Sequence, residues 1–246
     1  MRKMLVLAKR ELGGYFYSPL AYIVGAMFLS ACAGIFFWGM PLLNVPKIFA
    51  PGSEASLRSL FEAIAHFLIV VAPLLTMRLV SEEFRSGTVE LLMTAPITDT
   101  EVILGKFLGA MGFYIVLLGA TMVFFVLMLV YGQPDLGVVA MGYIGMILLG
   151  GAFMAVGIFS STLTAYQLLA ALVGIAILGG FVLLMHALMV YAPPPINFLA
   201  AKLNAMSHFR DFARGTFDTR GIVYFLSATV LFLFLSVKTL ESRRWR

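Results

Sequence analysis

Twelve carboxylates are few for a chain of 246 residues. Five of them, Glu82, Glu83, Glu90, Asp99 and Glu101, fall between Ser81 and Phe107. With Arg85 and Lys106 they form a polar island, SEEFRSGTVELLMTAPITDTEVILGKF, between two apolar runs long enough to cross a bilayer. Such charges and helix caps suit water and a protein partner, not hydrocarbon. The chemistry they offer is docking. Glu82, Glu83 and Arg85 supply polar contacts, and Leu91, Leu92 and Met93 supply an apolar knob for a cleft. Plain solvation at the membrane face accounts for the same charges.

A second set is ionisable and lies inside apolar runs, where such residues are costly and suspect. Glu62 and His66 are four apart and share a helix face, and His186 lies on another run. They suit a proton relay or a metal site in an ion-coupled carrier or intramembrane enzyme. They suit better polar residues near the outer interface that face the bundle, and a metal would normally want more ligands. Nucleotide chemistry is missing. Gly105-Lys106 is not a phosphate loop, because Thr100 stands where the first Gly belongs and Phe107 replaces the Mg²⁺-binding hydroxyl. No Gly-x-Ser-x-Gly, HExxH or Ser-His-Asp set occurs either. Any ATP hydrolysis, with its Mg²⁺, belongs to another chain, and no cofactor is expected on this one.

The elements that carry these residues are set by composition. The chain is 61% hydrophobic and 12% charged, about half the charge of a soluble domain. Six runs can span: Leu20–Met40, Leu60–Met77, Phe107–Tyr131, Val138–Ser160, Leu168–Met189 and Gly221–Val237. Seventeen basic residues flank these runs and do not share one soluble face, so a nucleic-acid partner is not expected. Eleven basics lie on the side of both termini and six on the other. Both termini are therefore expected in the cytoplasm. Met1–Phe16 is broken by Lys9, Arg10 and Glu11 and has no cleavage site, so it is not a secretory signal. Cys32, the single cysteine, lies in an apolar run and cannot form an internal disulfide.

Three segments do not span. Residues 1–17 read as a basic amphipathic helix in the membrane interface, with Met4, Leu5, Ala8, Leu12 and Tyr15 or Phe16 on its apolar stripe and a bend at Gly13-Gly14. Ser18-Pro19 then opens the first span. Residues 81–106 read as a short helix capped by Thr88 and stopped by Pro96, then a capping box, Thr98 with Glu101, that starts the third span. Residues 191–220 contain three prolines near their start, Pro193, Pro194 and Pro195, and then read as short extracytoplasmic helices, one capped by Ser207 and ended by Gly215. Small residues recur at four-residue spacing: Ala26, Ser30 and Gly34; Gly142, Met146 and Gly150; Gly151 and Ala155; Ala170 and Gly174. They serve intrachain packing or a subunit interface. The expected fold is an all-α membrane protein of six transmembrane helices in one domain, residues 1–246, with no room for a soluble domain.

Three stretches resemble the ABC-2 type permeases, gliding-motility subgroup. They are RELGGYFYSPLAYIV (Arg10–Val24), the Ser81–Phe107 island with Glu82, Glu83, Gly87, Thr88, Leu91, Leu92, Pro96, Gly105 and Lys106, and SHFRDFARGTFDTRGIVYFLS with LFLFLSVKTLESRRW (Ser207–Ser227 and Leu231–Trp245). The resemblance implies a permease subunit of a bacterial ATP-driven exporter in the cytoplasmic membrane, coupled to an ABC ATPase. Contact would run through Arg10 of the N-terminal helix and through the loop residues Glu82, Glu83, Arg85, Gly87, Thr88, Glu90, Leu91, Leu92, Met93 and Pro96. It also implies a second permease subunit and a membrane-anchored auxiliary protein with a large extracytoplasmic domain.

Overall fold

The computed structural model describes residues 2–39, 57–87, 98–131 and 134–244. Among these the chain is all α-helix: α1 (Arg2–Phe16), α2 (Pro19–Trp38), α3 (Arg58–Thr76), α4 (Arg78–Ser86), α5 (Asp99–Tyr131), α6 (Leu136–Leu163), α7 (Gln167–Tyr191), α8 (Ile196–Leu203), α9 (Ala205–Ala213) and α10 (Thr219–Arg244). Six stretches are long and apolar enough to cross a membrane: α2, α3 continued by α4, α5, α6, α7 and α10. Large apolar side chains such as Leu183, Val223 and Val230 point away from the bundle, where hydrocarbon can cover them.

Local chemistry sets the helix ends. Pro19 sits in the first turn of α2. The capping box of α5 forms as the sequence predicts: Glu101 N–H donates to Thr98 Oγ1, and Thr98 N–H donates to Glu101 Oε2, both at 3.3 Å. Asp135 Oδ1 accepts from Gly137 N at 2.8 Å and caps α6. Two expectations are corrected. α1 runs unbroken through Gly13 and Gly14 to Phe16, because it is supported along its length by α5. The cap of α9 is Asn204, whose Oδ1 accepts from Met206 N at 2.9 Å, so Ser207 lies inside the helix. The last span extends beyond Gly221–Val237 into its flanking residues, as so short a run requires, since its polar ends remain helical. Gly215, with φ +81°, follows α9 as expected.

α6 is the axis of the bundle. Its glycines let neighbours approach so closely that a Cβ would collide: Gly142 faces Phe61 of α3 at 2.3 Å, Gly150 faces Tyr114 of α5 at 2.1 Å, and Gly157 faces Thr76 of α3 at 2.1 Å. Tyr114 is fully buried and donates its hydroxyl to Met146 O at 2.9 Å. Gly174 of α7 meets Pro73 and Ser160 in the same way. These small residues are intrachain packing. The stripe on α2 differs: Ala26 and Ser30 are exposed, and nothing lies within 4 Å of a Cβ built on Gly34.

Candidate functional site

At the end of the bundle that holds α1, a knot of charge joins three helices. The Lys106 ammonium, with its side chain 2% exposed, donates to Glu83 Oε1 of α4 at 2.6 Å and to Glu11 Oε1 of α1 at 3.2 Å. Glu11 also pairs with exposed Arg10 at 3.1 Å. A lysine buried this far must be paired, since an isolated ammonium out of water costs several kcal/mol or more. The knot lines a polar cavity of about 260 Å³ together with Arg78, Glu82 and Ser86.

Glycine makes the knot reachable. Gly105, Gly109 and Gly112 of α5 form a smooth seat for α1. A Cβ on Gly109 would lie 2.7 Å from Glu11 Cβ and 3.1 Å from Ala8 O, and one on Gly105 would lie 2.8 Å from Leu7 Cδ2. The inward stripe of α1 therefore includes buried Leu7 and Tyr15 and half-buried Glu11, while Leu5 and Phe16 turn outward. Of the stripe expected, Ala8, Leu12 and Tyr15 lie on this face and Leu5 does not. Tyr15 stacks on Phe113 with centroids 4.9 Å apart and donates its hydroxyl to Leu75 O at 2.8 Å. Burial raises the Tyr15 pKa above its ordinary value, against the opposing pull of Arg78, so the phenol stays neutral. Arg78 lies over the Tyr15 ring, bonds Ser18 Oγ, and donates to Gly14 O at 3.1 Å. It closes α1 against the start of α4.

The joint between α3 and α4 is the second device. Around Met77 two backbone donors leave the helical ladder: Val80 N and Ser81 N donate to Ser161 Oγ of α6 at 3.1 and 3.0 Å. Ser161 in turn donates to Met77 O at 2.8 Å, and Ser81 Oγ also bonds Met77 O. One serine thus satisfies a break that would otherwise bury unpaired amides. Pro73, inside α3, removes one more ladder donor just above.

Of the residues expected to meet a partner, Glu82 and Arg85 are exposed on α4, and Arg10 is 63% exposed on α1. Glu83 is turned inward onto Lys106. Gly87 ends α4 with φ +70°, a left-handed cap. Thr88, Glu90, Leu91, Leu92, Met93 and Pro96, with the helix expected there, lie outside the described residues. Glu11, Ser161 and the glycine seat were not singled out from sequence. The spacing Gly105, Gly109, Gly112 was readable as a helix-contact face, but nothing in the chain tells which helix would sit on it.

The second set converges at the opposite end. Glu62, His66 and His186 line one pocket between α3, α7 and α9. The Glu62 carboxylate is held by Arg58 at 3.0 Å, and His66 Nδ1 donates to Glu62 O at 2.7 Å. Among the described residues no group of three or more His, Cys, Asp and Glu is placed to hold a metal ion.

Residues 41–240 match the family model described as ABC-2 family transporter protein. No curated protein matches the chain.

Proposed function

The chain belongs to the ABC-2 transporter family, and on that premise we propose that it is the permease subunit of a bacterial ATP-driven exporter or transport-like complex. In this reading it is of the gliding-motility subgroup and sits in the cytoplasmic membrane with both termini inside. ATP and Mg²⁺ are bound by a separate ABC ATPase, against which the 88–96 segment and α1 rest. A second permease subunit completes the membrane unit, and the outward small-residue stripe of α2 is open to it. A membrane-anchored auxiliary protein joins from the far side.

The observation that carries this reading is the Glu11–Lys106–Glu83 knot. It ties α1, α4 and α5 together at the base of the segment expected to meet the ATPase. Glu83 lies four residues before the left-handed Gly87 from which the chain enters that segment. A push on the segment is therefore felt at once by α1 and by two spans, through ion pairs and the stitched Met77 joint. Movement of cargo, or of the auxiliary protein, follows from the altered packing of those spans.

The test is co-purification in mild detergent with a co-expressed ABC ATPase from the same organism. Leu91→Asp with Leu92→Asp puts two charges into the expected apolar contact. Losses of about 2–4 kcal/mol at such hot spots correspond to roughly 30-fold or more in affinity. The ATPase should be lost while the permease still inserts. A double variant that keeps its ATPase and full ATP turnover places the coupling segment elsewhere.

A further inference from the structure

The pocket at the opposite end has a volume of about 480 Å³, within the range of small-ligand sites. Its polar end is formed by Arg210, His66, His186 and the buried Asn204. Its long wall is aliphatic and includes Ile69 and Val182. The pocket opens between Val70, 42% exposed, and Leu183, 70% exposed, both on faces that hydrocarbon can cover. The charge at its polar end is not cancelled from within. The one acid there, Glu62, is taken by Arg58 at 3.0 Å. Arg210 donates only to Ser207 Oγ on its own helix, at 3.4 Å, and among the described residues no carboxylate lies within ion-pair distance of it.

We propose that this pocket binds one anionic phospholipid, its phosphate on Arg210 and one acyl chain along the seam between α3 and α7. An apolar helix of a second subunit would cover the wall but leave the Arg210 guanidinium, bonded only to Ser207 Oγ, with no counter-charge near hydrocarbon, a costly arrangement. A lipid answers both halves at once. Its phosphate accepts from the guanidinium in a charge-assisted bond, and its chain continues the aliphatic wall. Gly179 keeps the seam open: a Cβ built there meets only Ile69 Cγ2, at 3.6 Å. The site does not depend on ATPase coupling and stands or falls separately from it.

The experiment uses the full chain in nanodiscs of phosphatidylcholine with a minor fraction of phosphatidylglycerol, transferred to mild detergent for native mass spectrometry. The parent should retain one phosphatidylglycerol in preference to phosphatidylcholine. Arg210→Gln should weaken that retention by about tenfold or more, the worth of one charge-assisted bond, and Arg210→Lys should restore part of it. Gly179→Phe should displace both lipids by filling the seam. Arg220→Gln, an exposed arginine outside the pocket, should change nothing. Size-exclusion profiles and ATPase co-purification read folding independently, and monodisperse variants are the ones scored. Equal retention of phosphatidylglycerol by parent, Arg210→Gln and Gly179→Phe overturns the proposal. So does displacement of the lipid by millimolar inorganic phosphate alone, which marks a free-anion site, or a disulfide between two Leu183→Cys chains without bound lipid, which marks a subunit contact.

Discussion

Lys106 shows how much a single side chain holds here. Replacing it by Met keeps the length and leaves the Glu11 and Glu83 carboxylates facing each other without their cation. Removing one partner of a fully buried pair costs about 3–5 kcal/mol. Both carboxylates keep 17% exposure, so water takes part of the load and about 2–3 kcal/mol is the expected loss. Thermal unfolding in detergent should show Lys106→Met well below the parent and Glu83→Gln closer to it. The double variant should recover part of the loss, with a coupling of about 1 kcal/mol or more. Strict additivity would mean the ion pairs in the knot do not interact. Glu82 and Glu83 were legible as charged neighbours in the sequence. That one turns out to water and the other in to Lys106 was not, because the inward turn depends on an ammonium 23 residues away.

Helices were easier to read than their partners. Six apolar runs, a Pro-opened first span and a Thr98–Glu101 box are local signals, and all appear in the fold. The docking of α1 on α5 is not local, since its contacts bridge some 95 residues. It rests on three glycines whose role depends on what lies opposite. Gly109→Leu tests it. The new side chain must enter backbone of α1, 3.1 Å from Ala8 O, and no rotamer relieves that. Overpacking of this kind costs about 1–3 kcal/mol, enough to lift α1 from its seat. Hydrogen exchange across residues 3–16 should quicken markedly. Gly119→Ala on the same helix, with nothing within 4 Å of the added carbon, should leave exchange unchanged. Slow exchange of α1 in the Gly109 variant would show that the helix is held by something other than this seat.

For the molecule as a whole, the asymmetry of basic residues predicts that both termini lie inside. In a Cys32→Ala background, Phe217→Cys should react with an impermeant maleimide on intact cells, while Ser86→Cys and Ser242→Cys should react only after lysis. Labelling of Ser86→Cys on intact cells would invert the topology. The long-range knot has one more consequence, in time. At about 5–20 residues per second, α5 leaves the ribosome roughly 5–20 s after the segment it must receive. During that interval α1 is an orphan with Glu11 on its inner stripe and Lys3, Lys9 and Arg10 beside it. Its basic residues suit a lipid surface in the meantime, and the glycine seat and the ammonium then arrive together. α1 is thus fastened only once a helix made some 95 residues later is in place, and its ion pair joins segments made well apart in time.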